Sequence, residues 1–282
     1  MVTRHWNLGR RTLALSRRPL VMGILNVTPD SFSDGGKHFS VQAAVRVALQ
    51  MQADGVDIID IGGESTRPYS EPVGADEELK RVVPVIEQLA SKIDVPLSID
   101  TSKANVALAA VQAGADIIND VTGLEGDKEM PAVASKTGAG VCVMHMQGNP
   151  QTMQDAPTYK DVVADIHGYL QQRADSCLAM GIQKDRICLD PGIGFGKTHE
   201  HNLTLLKSTA KFTELGYPIL IGHSRKGFIG KILADKAADR TAATIGVSLA
   251  VAAAGANVVR VHDVKQTVDA LKLFEAAGGL PE

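Results

Sequence analysis

The sequence predicts an α/β protein, a single (β/α)₈ barrel of the TIM type with a short N-terminal hairpin. Three observations predict it. Eight short apolar runs, each closing on polar residues, alternate with helix-like stretches from Val21 to the last helix. No linker or shift of composition divides them, so residues 1–282 read as one domain with residues 1–19 as a hairpin extension. The first strand-to-helix turn lacks the glycine fingerprint that an open doubly wound sheet would usually carry.

Each element follows from its own residues. Residues 3–16 alternate weakly around Gly9, which reads as a hairpin able to plug the bottom of a barrel. Val21–Leu25 has the length of a strand buried on both faces. Val41–Ala53 is amphipathic, with Ala44, Val47, Ala48 and Met51 on one side, and Gly55 stops it. The second strand is Val56–Ile61 and its helix runs over Ala75–Lys92. Strands over Pro96–Ile99, Asp116–Ile118 and Gly140–Met144 follow, then a long helix over Tyr159–Met180. The last strands are Arg186–Leu189, Pro218–Ile221 and Asn257–Val259, with a closing helix.

Composition narrows the function. The chain has 282 residues, 44% hydrophobic and 22% charged, with a net charge of -3. That is an ordinary globular balance, and nothing in it points to nucleic acid or an anionic membrane. Cys142, Cys177 and Cys188 show neither zinc-site nor CxxC spacing and read as reduced thiols. The N-terminal stretch is basic without a long apolar core, and no apolar run reaches the ~18 residues of a membrane span. A cytoplasmic location is expected.

In such a barrel the chemistry lies at the C-terminal ends of the strands. Asn26, Asp100, Asn119, Asp190, Lys226, Arg260 and His262 all fall there and converge on one expected pocket. A lone Asp at a strand end often caps the next helix. Caps would not explain the cations that accompany these acids. Ser224-Arg225-Lys226 and Arg260/His262 follow the last two strands, where phosphate sites of barrels often sit, and these donors suit phosphate oxygens. Lys226 also has the chemistry for a Schiff base. Two glycine-containing loops complete the rim: Asn26, Asp30, Ser31 and Asp34 on the first, Glu64 to Pro68 on the second. The run Asp190–Lys197 is glycine-rich without P-loop spacing, and His145 has no partner at zinc-ligand spacing.

Taken in order, GILNVTPDSFSDGG, IDIGGESTRP, SIDTSK, IINDV, VMHMQGNP, LDPGIGFGK, SRK and RVHD make the chain resemble the dihydropteroate synthases over nearly its whole length. The resemblance implies a cytoplasmic, usually homodimeric barrel. It implies a transferase that joins 6-hydroxymethyl-7,8-dihydropterin diphosphate to p-aminobenzoate, releasing pyrophosphate and 7,8-dihydropteroate, with sulfonamides as competitors. It assigns the pterin edge to Asp100, Asn119, Asp190 and Lys226, and ring stacking to Arg260. The diphosphate falls to Asn26, Arg67 and His262, with Asn26 also holding Mg²⁺. Thr66, Arg67, Pro68, Phe195 and Lys226 line the p-aminobenzoate side, with Ser224 beside it. Asp100, Lys226, Arg260 and His262 carry the chemistry.

Gly227 stands where many relatives have Ser, and Tyr69 where a small residue is frequent. A pterin-binding methyltransferase domain shares the barrel and the carboxylates but needs no diphosphate site. A Schiff-base aldolase acting through Lys226 and a non-catalytic pterin-binding barrel are the other readings.

Overall fold

The computed structural model describes residues 5–28, 41–67, 69–235 and 237–281. Asp30, Ser31 and Asp34 of the first loop, and Pro68 of the second, lie outside them. Strands β1 (His5–Asn7) and β2 (Thr12–Ala14) pair antiparallel as the expected hairpin. Eight strands follow: β3 (Leu20–Asn26), β4 (Ile58–Gly62), β5 (Leu97–Asp100), β6 (Ile117–Asp120), β7 (Gly140–Met144), β8 (Ile187–Asp190), β9 (Leu220–Ile221) and β10 (Val258–Val261). They form one parallel sheet in the order β8-β7-β6-β5-β4-β3-β10-β9. A bridge between Leu189 and Ile219 closes the ring, with the Leu189 N–H donating to Pro218 O at 2.9 Å.

Helices α1 (Val41–Ala53), α2 (Ala75–Ala90), α3 (Ala104–Ala113), α4 (Met130–Thr137), α5 (Val162–Ala179), α6 (His199–Lys207), α7 (Thr209–Thr213), α8 (Gly227–Ile232), α9 (Thr241–Ala253) and α10 (Val264–Ala276) connect and surround the strands. Helix α5 begins at Val162 rather than Tyr159, because Asp161 accepts hydrogen bonds from the Val163 and Ala164 amides and caps it there. Several strands run further toward their polar ends than the apolar runs foretell. The ladder pairs Gly62 with Asp100, Asp100 with Asn119 and Met144 with Asp190, so these polar residues belong to the sheet itself.

The period of two along each strand sorts the side chains. Val21, Leu25, Ile59, Ile61, Ile99, Val141, Ile187, Ile221 and Val259 face outward into the large core under the helices. Met22, Ile58, Ile117, Cys142, Cys188, Leu220 and Val258 face inward and form a second cluster with Trp6 and Leu8 of the hairpin. The hairpin therefore plugs the N-terminal mouth. Trp6 is fully buried and its indole N–H donates to Arg186 O at 2.9 Å. Gly140 makes room for the plug, since a Cβ there would lie 2.5 Å from Leu8. All three cysteines are buried and free.

Candidate active site

Two residues above the apolar layer, the same inward parity presents Asp60, Asp100, Asn119, Asp190 and Arg260. Adjacent strands stand about 4.8 Å apart, so side chains from one layer must touch. Arg260 Nε donates to Asp60 Oδ2 at 2.6 Å and its Nη2 to Asp100 Oδ2 at 2.7 Å. Asn119 Nδ2 donates to the same Asp60 oxygen at 3.2 Å. One Asp190 oxygen accepts from the Gly192 N–H at 2.7 Å. Gly62 and Gly222 border this layer: Cβ atoms there would come into ordinary van der Waals contact with Asp100 and Asp190, at 3.6 and 3.8 Å.

Asp60 was not among the residues that the sequence pointed to, yet it anchors the guanidinium from beneath. Its one signal is an acid inside the apolar run VDIIDI, on the same parity as Ile58. The second oxygens of Asp60 and Asp100 are buried without a hydrogen-bond partner. An orphaned buried acceptor is costly, and donors brought by a bound ligand would relieve that cost.

The electrostatics follow from burial. Burial lifts the Asp100 carboxyl to about 7, against the pull of Arg260 and with the help of Asp60, Glu78 and Asp120. It lifts Asp190 to about 6, opposed by the Gly192 hydrogen bond and by Lys226, Lys197 and Arg260. Lys226 is driven down to about 7 by burial and Arg260, opposed by Asp190 and Asp100. Burial also works against the charge of Arg260, but Asp60 and Asp100 overcome it and hold the guanidinium cationic. The Lys226 ammonium lies 4.0 Å from the centre of the Phe195 ring and donates to Ile193 O.

Beside this cluster, Ser224 Oγ and His262 Nδ1 are 3.0 Å apart, and the His262 N–H donates to Ser224 Oγ at 3.2 Å. The hydroxyl thus accepts from the backbone and holds the Nδ1 side of the ring by a second hydrogen bond. Burial and the neighbouring Arg260 and Arg225 lower His262 to about 4, so the ring is a neutral donor. Arg225 is tied to Asp263. Asn26 stands across Gly62 from Asp100, its Oδ1 3.9 Å from a Cβ placed on that glycine. Thr66 is half-buried and Arg67 exposed on the β4–α2 loop. A Cβ at Gly227 would meet nothing within 4 Å, so its missing side chain is no steric requirement. Tyr69 sits at φ 64°, its N–H donating to Pro150 O at 2.9 Å and its hydroxyl to Asp155 at 3.3 Å.

Behind the pocket, Lys197 is almost wholly buried. Its ammonium nitrogen lies 3.0 Å from His145 Nδ1 and donates to Phe195 O at 2.8 Å. Burial lowers both groups, His145 to about 3. His145 is thus a packing partner. Among the described residues no group of three His, Cys, Asp or Glu side chains could hold a metal. His223 ties β9 to α9 through Ser248 Oγ at 2.9 Å.

Comparison with known proteins agrees with this geometry. Residues 22–262 match the family model described as pterin binding enzyme. The dihydropteroate synthase of Escherichia coli strain K12 is 48% identical over 258 residues, 92% of this chain and 91% of that one. The Yersinia pestis dihydropteroate synthase, solved with a sulfonamide drug complex, superposes with a TM-score of 0.91 at 46% identity, covering 97% of this chain and 99% of that one. The Xanthomonas albilineans dihydropteroate synthase, solved with 4-aminobenzoic acid, gives 0.91 at 44% identity, covering 99% and 100%. With the barrel, the polar layer and these relatives in agreement, the chain belongs to the pterin binding enzyme family, among the dihydropteroate synthases.

Proposed function

We propose that this chain condenses 6-hydroxymethyl-7,8-dihydropterin diphosphate with p-aminobenzoate, giving 7,8-dihydropteroate and pyrophosphate in folate biosynthesis. The observation that carries the reading is the buried polar layer with its orphaned Asp60 and Asp100 oxygens. A pterin edge offers N–H donors and ring acceptors in one plane. Asp100, Asn119 and Asp190 supply acceptors and an amide, Lys226 a donor, and the guanidinium face of Arg260 remains for stacking, because its Nε and Nη2 edges are taken by carboxylates.

The chemistry follows from the charges. The bond between the pterin methylene carbon and the diphosphate oxygen breaks, leaving a resonance-stabilised cation on the pterin and the electron pair on the diphosphate. Asp100 offsets the cation, and the neutral His262 ring and Arg67 receive the leaving group. The arylamine nitrogen then attacks the carbon, forming the C–N bond, and its surplus proton passes to the released pyrophosphate or to solvent. An aniline is nucleophilic without a strong base, so a neutral histidine is no obstacle. Thr66, Arg67, Pro68, Phe195 and Lys226 are read as the arylamine side, with Ser224 beside it, and sulfonamides compete there.

The family resemblance also implies Mg²⁺. The donor set fits an ion held largely by substrate: Asn26 offers a single neutral amide oxygen, a hard donor, with no acidic cage among the described residues. When bound, Mg²⁺ neutralises charge on the diphosphate. One domain over residues 1–282 and a cytoplasmic location are read from the sequence, and a homodimer from the resemblance. Among the described residues no helix is long and apolar enough to cross a membrane.

A coupled assay tests the function. The pterin diphosphate, p-aminobenzoate and Mg²⁺ together should release pyrophosphate, and omission of either organic substrate should stop it. A methyltransferase domain would release none.

A further inference from the structure

The sequence motifs IDIGGESTRP and SIDTSK contribute Glu64 and Lys103, neither of which the proposed chemistry uses. Lys103 follows β5 and holds the N-cap position of α3, its N–H donating to Thr101 Oγ1 at 3.2 Å. Its side chain turns toward the β4–α2 loop and bridges two acids: Glu64 Oε2 at 2.7 Å and Glu78 Oε2 at 2.6 Å. Glu78 is fully buried on α2. The other Glu64 oxygen accepts the Val73 N–H at 2.7 Å. Glu64 and Val73 are the two ends of the loop that carries Thr66 and Arg67, so this bond closes the loop at its neck.

Gly63 locks the same neck to the helix. A Cβ there would lie 2.9 Å from Glu78 Cγ and 2.8 Å from Val82 Cγ1, and Arg81 Nη1 donates to Gly63 O at 2.8 Å. Burial works against the Lys103 charge, but the hydrogen bonds and charges of Glu64 and Glu78 overcome it and raise its pKa. One cation thus bridges two carboxylates, offsetting one of their two charges, and ties β5, the strand of Asp100, to the loop of Arg67.

We propose that Lys103 is a positioning residue for arylamine capture, fixing through Glu64 the neck of the β4–α2 loop and so the stance of Thr66 and Arg67. This rests on reading that loop as part of the arylamine and diphosphate side. Among the described residues no hydrogen bond or ion pair joins Lys103 or Glu64 to the pterin layer, so cutting the neck at Glu64 should spare pterin binding.

The test measures both substrates separately in the full-length protein. Lys103→Met combined with Glu78→Gln removes the clamp without stranding the fully buried Glu78 charge; because that charge also acts on Asp100, the double variant is read against Glu78→Gln alone. Glu64→Ala cuts only the neck and leaves the Lys103–Glu78 pair intact. Both should raise the KM for p-aminobenzoate by about ten- to hundredfold, with pterin Kd by calorimetry within about twofold of wild type in Glu64→Ala and within about twofold of Glu78→Gln in the double variant. Lys103→Arg, which can still bridge two carboxylates, should recover most of the loss. Unchanged arylamine KM in Glu64→Ala, or an equal loss for both substrates, would overturn the proposal. Arg67→Ala separates the two levels. If it raises the arylamine KM while the clamp variants do not, only the clamp fails. If it also leaves that KM unchanged, the loop reading falls and the clamp with it.

Discussion

Replacing Asp100 with Asn should move stability and binding in opposite directions. In the empty protein burial lifts this carboxyl from 3.8 to about 7. Between those values the folded chain holds a proton that the unfolded chain has lost, so raising the pH through that window removes stability. The displacement amounts to ~4 kcal/mol at most, all of it a penalty above pH 7. Asparagine keeps the volume and an oxygen for Arg260 Nη2 but carries no charge at any pH. The pull of Arg260 on the ionised carboxylate is already contained in the value of about 7, so it adds no separate pH-dependent contribution. The stability of the variant relative to wild type should therefore rise between pH 5 and pH 8 by ~2–3 kcal/mol, or at least about 4 °C in Tm. Thermal melts of the ligand-free proteins at the two pH values measure it, and Trp6, the sole tryptophan, reports the melt from the barrel floor. The same substitution turns an amide N–H toward pterin N–H groups, costing ~1–3 kcal/mol or about ten- to hundredfold in Kd. A Tm difference that is flat or falling with pH, or an unchanged pterin Kd, would refute the reasoning.

Asp190→Asn should likewise weaken pterin binding about tenfold or more, read by calorimetry, because the swap sets donor against donor. Lys226→Arg should abolish most pterin–arylamine coupling with the melting curve retained, since the fork cannot reproduce an ammonium set over the Phe195 ring. Wild-type protein treated with borohydride and carbonyl substrates should show no adduct by mass spectrometry; a reduced adduct on Lys226 with no pyrophosphate release would restore the aldolase. p-Aminobenzoate should bind poorly alone and well with pyrophosphate and Mg²⁺ in equilibrium dialysis, and equal affinity would count against loop-completed capture. Trp6→Ala should cost ~3–5 kcal/mol in chemical denaturation while leaving pterin affinity unchanged, because the plug lies beneath the apolar layer.

How much of this was legible depended on whether a residue's signal was local. The eight strands showed as apolar runs because both faces are covered, and the site acids showed because they stand where those runs end. Asp190 and Asp100 were therefore found, although the strands include them rather than stopping short. Asp60 was missed because it lies within its run; only the parity it shares with Ile58 marks it as inward, and parity gains meaning once a ring is closed. Lys103 and Glu78 were missed for another reason: their partners are set by the packing of α2 against β4, a contact without a sequence period. Lys197 read as the end of a glycine-rich loop, and its burial against His145 depends on two loops meeting. Helix α5 was placed too early for want of weight on Asp161, whose capping role was readable.

The two inward layers of the barrel divide the work. The polar layer is unfavourable in the empty protein: two carboxylates are lifted toward protonation, an ammonium is pushed toward neutrality, and two acceptors are orphaned. Such a layer persists only where the surroundings over-determine it. The surroundings here are the apolar layer directly below and the hairpin whose Trp6 and Leu8 seal it from water. Every strand that brings a site residue to the polar layer, save β5, also places an apolar or thiol side chain in the layer beneath, one parity step down. On β5 that step is Ser98, buried with its hydroxyl unpartnered. The strand carrying Asp100 is thus the least supported from below, and the bonds of Asp100 to Arg260 and of Lys103 to α2 hold its end instead. The raised pKa and the orphaned oxygen of Asp100 follow from that placement: the acid sits where the fold supplies shape and one cation but withholds donors, and a planar ring bearing N–H groups supplies them.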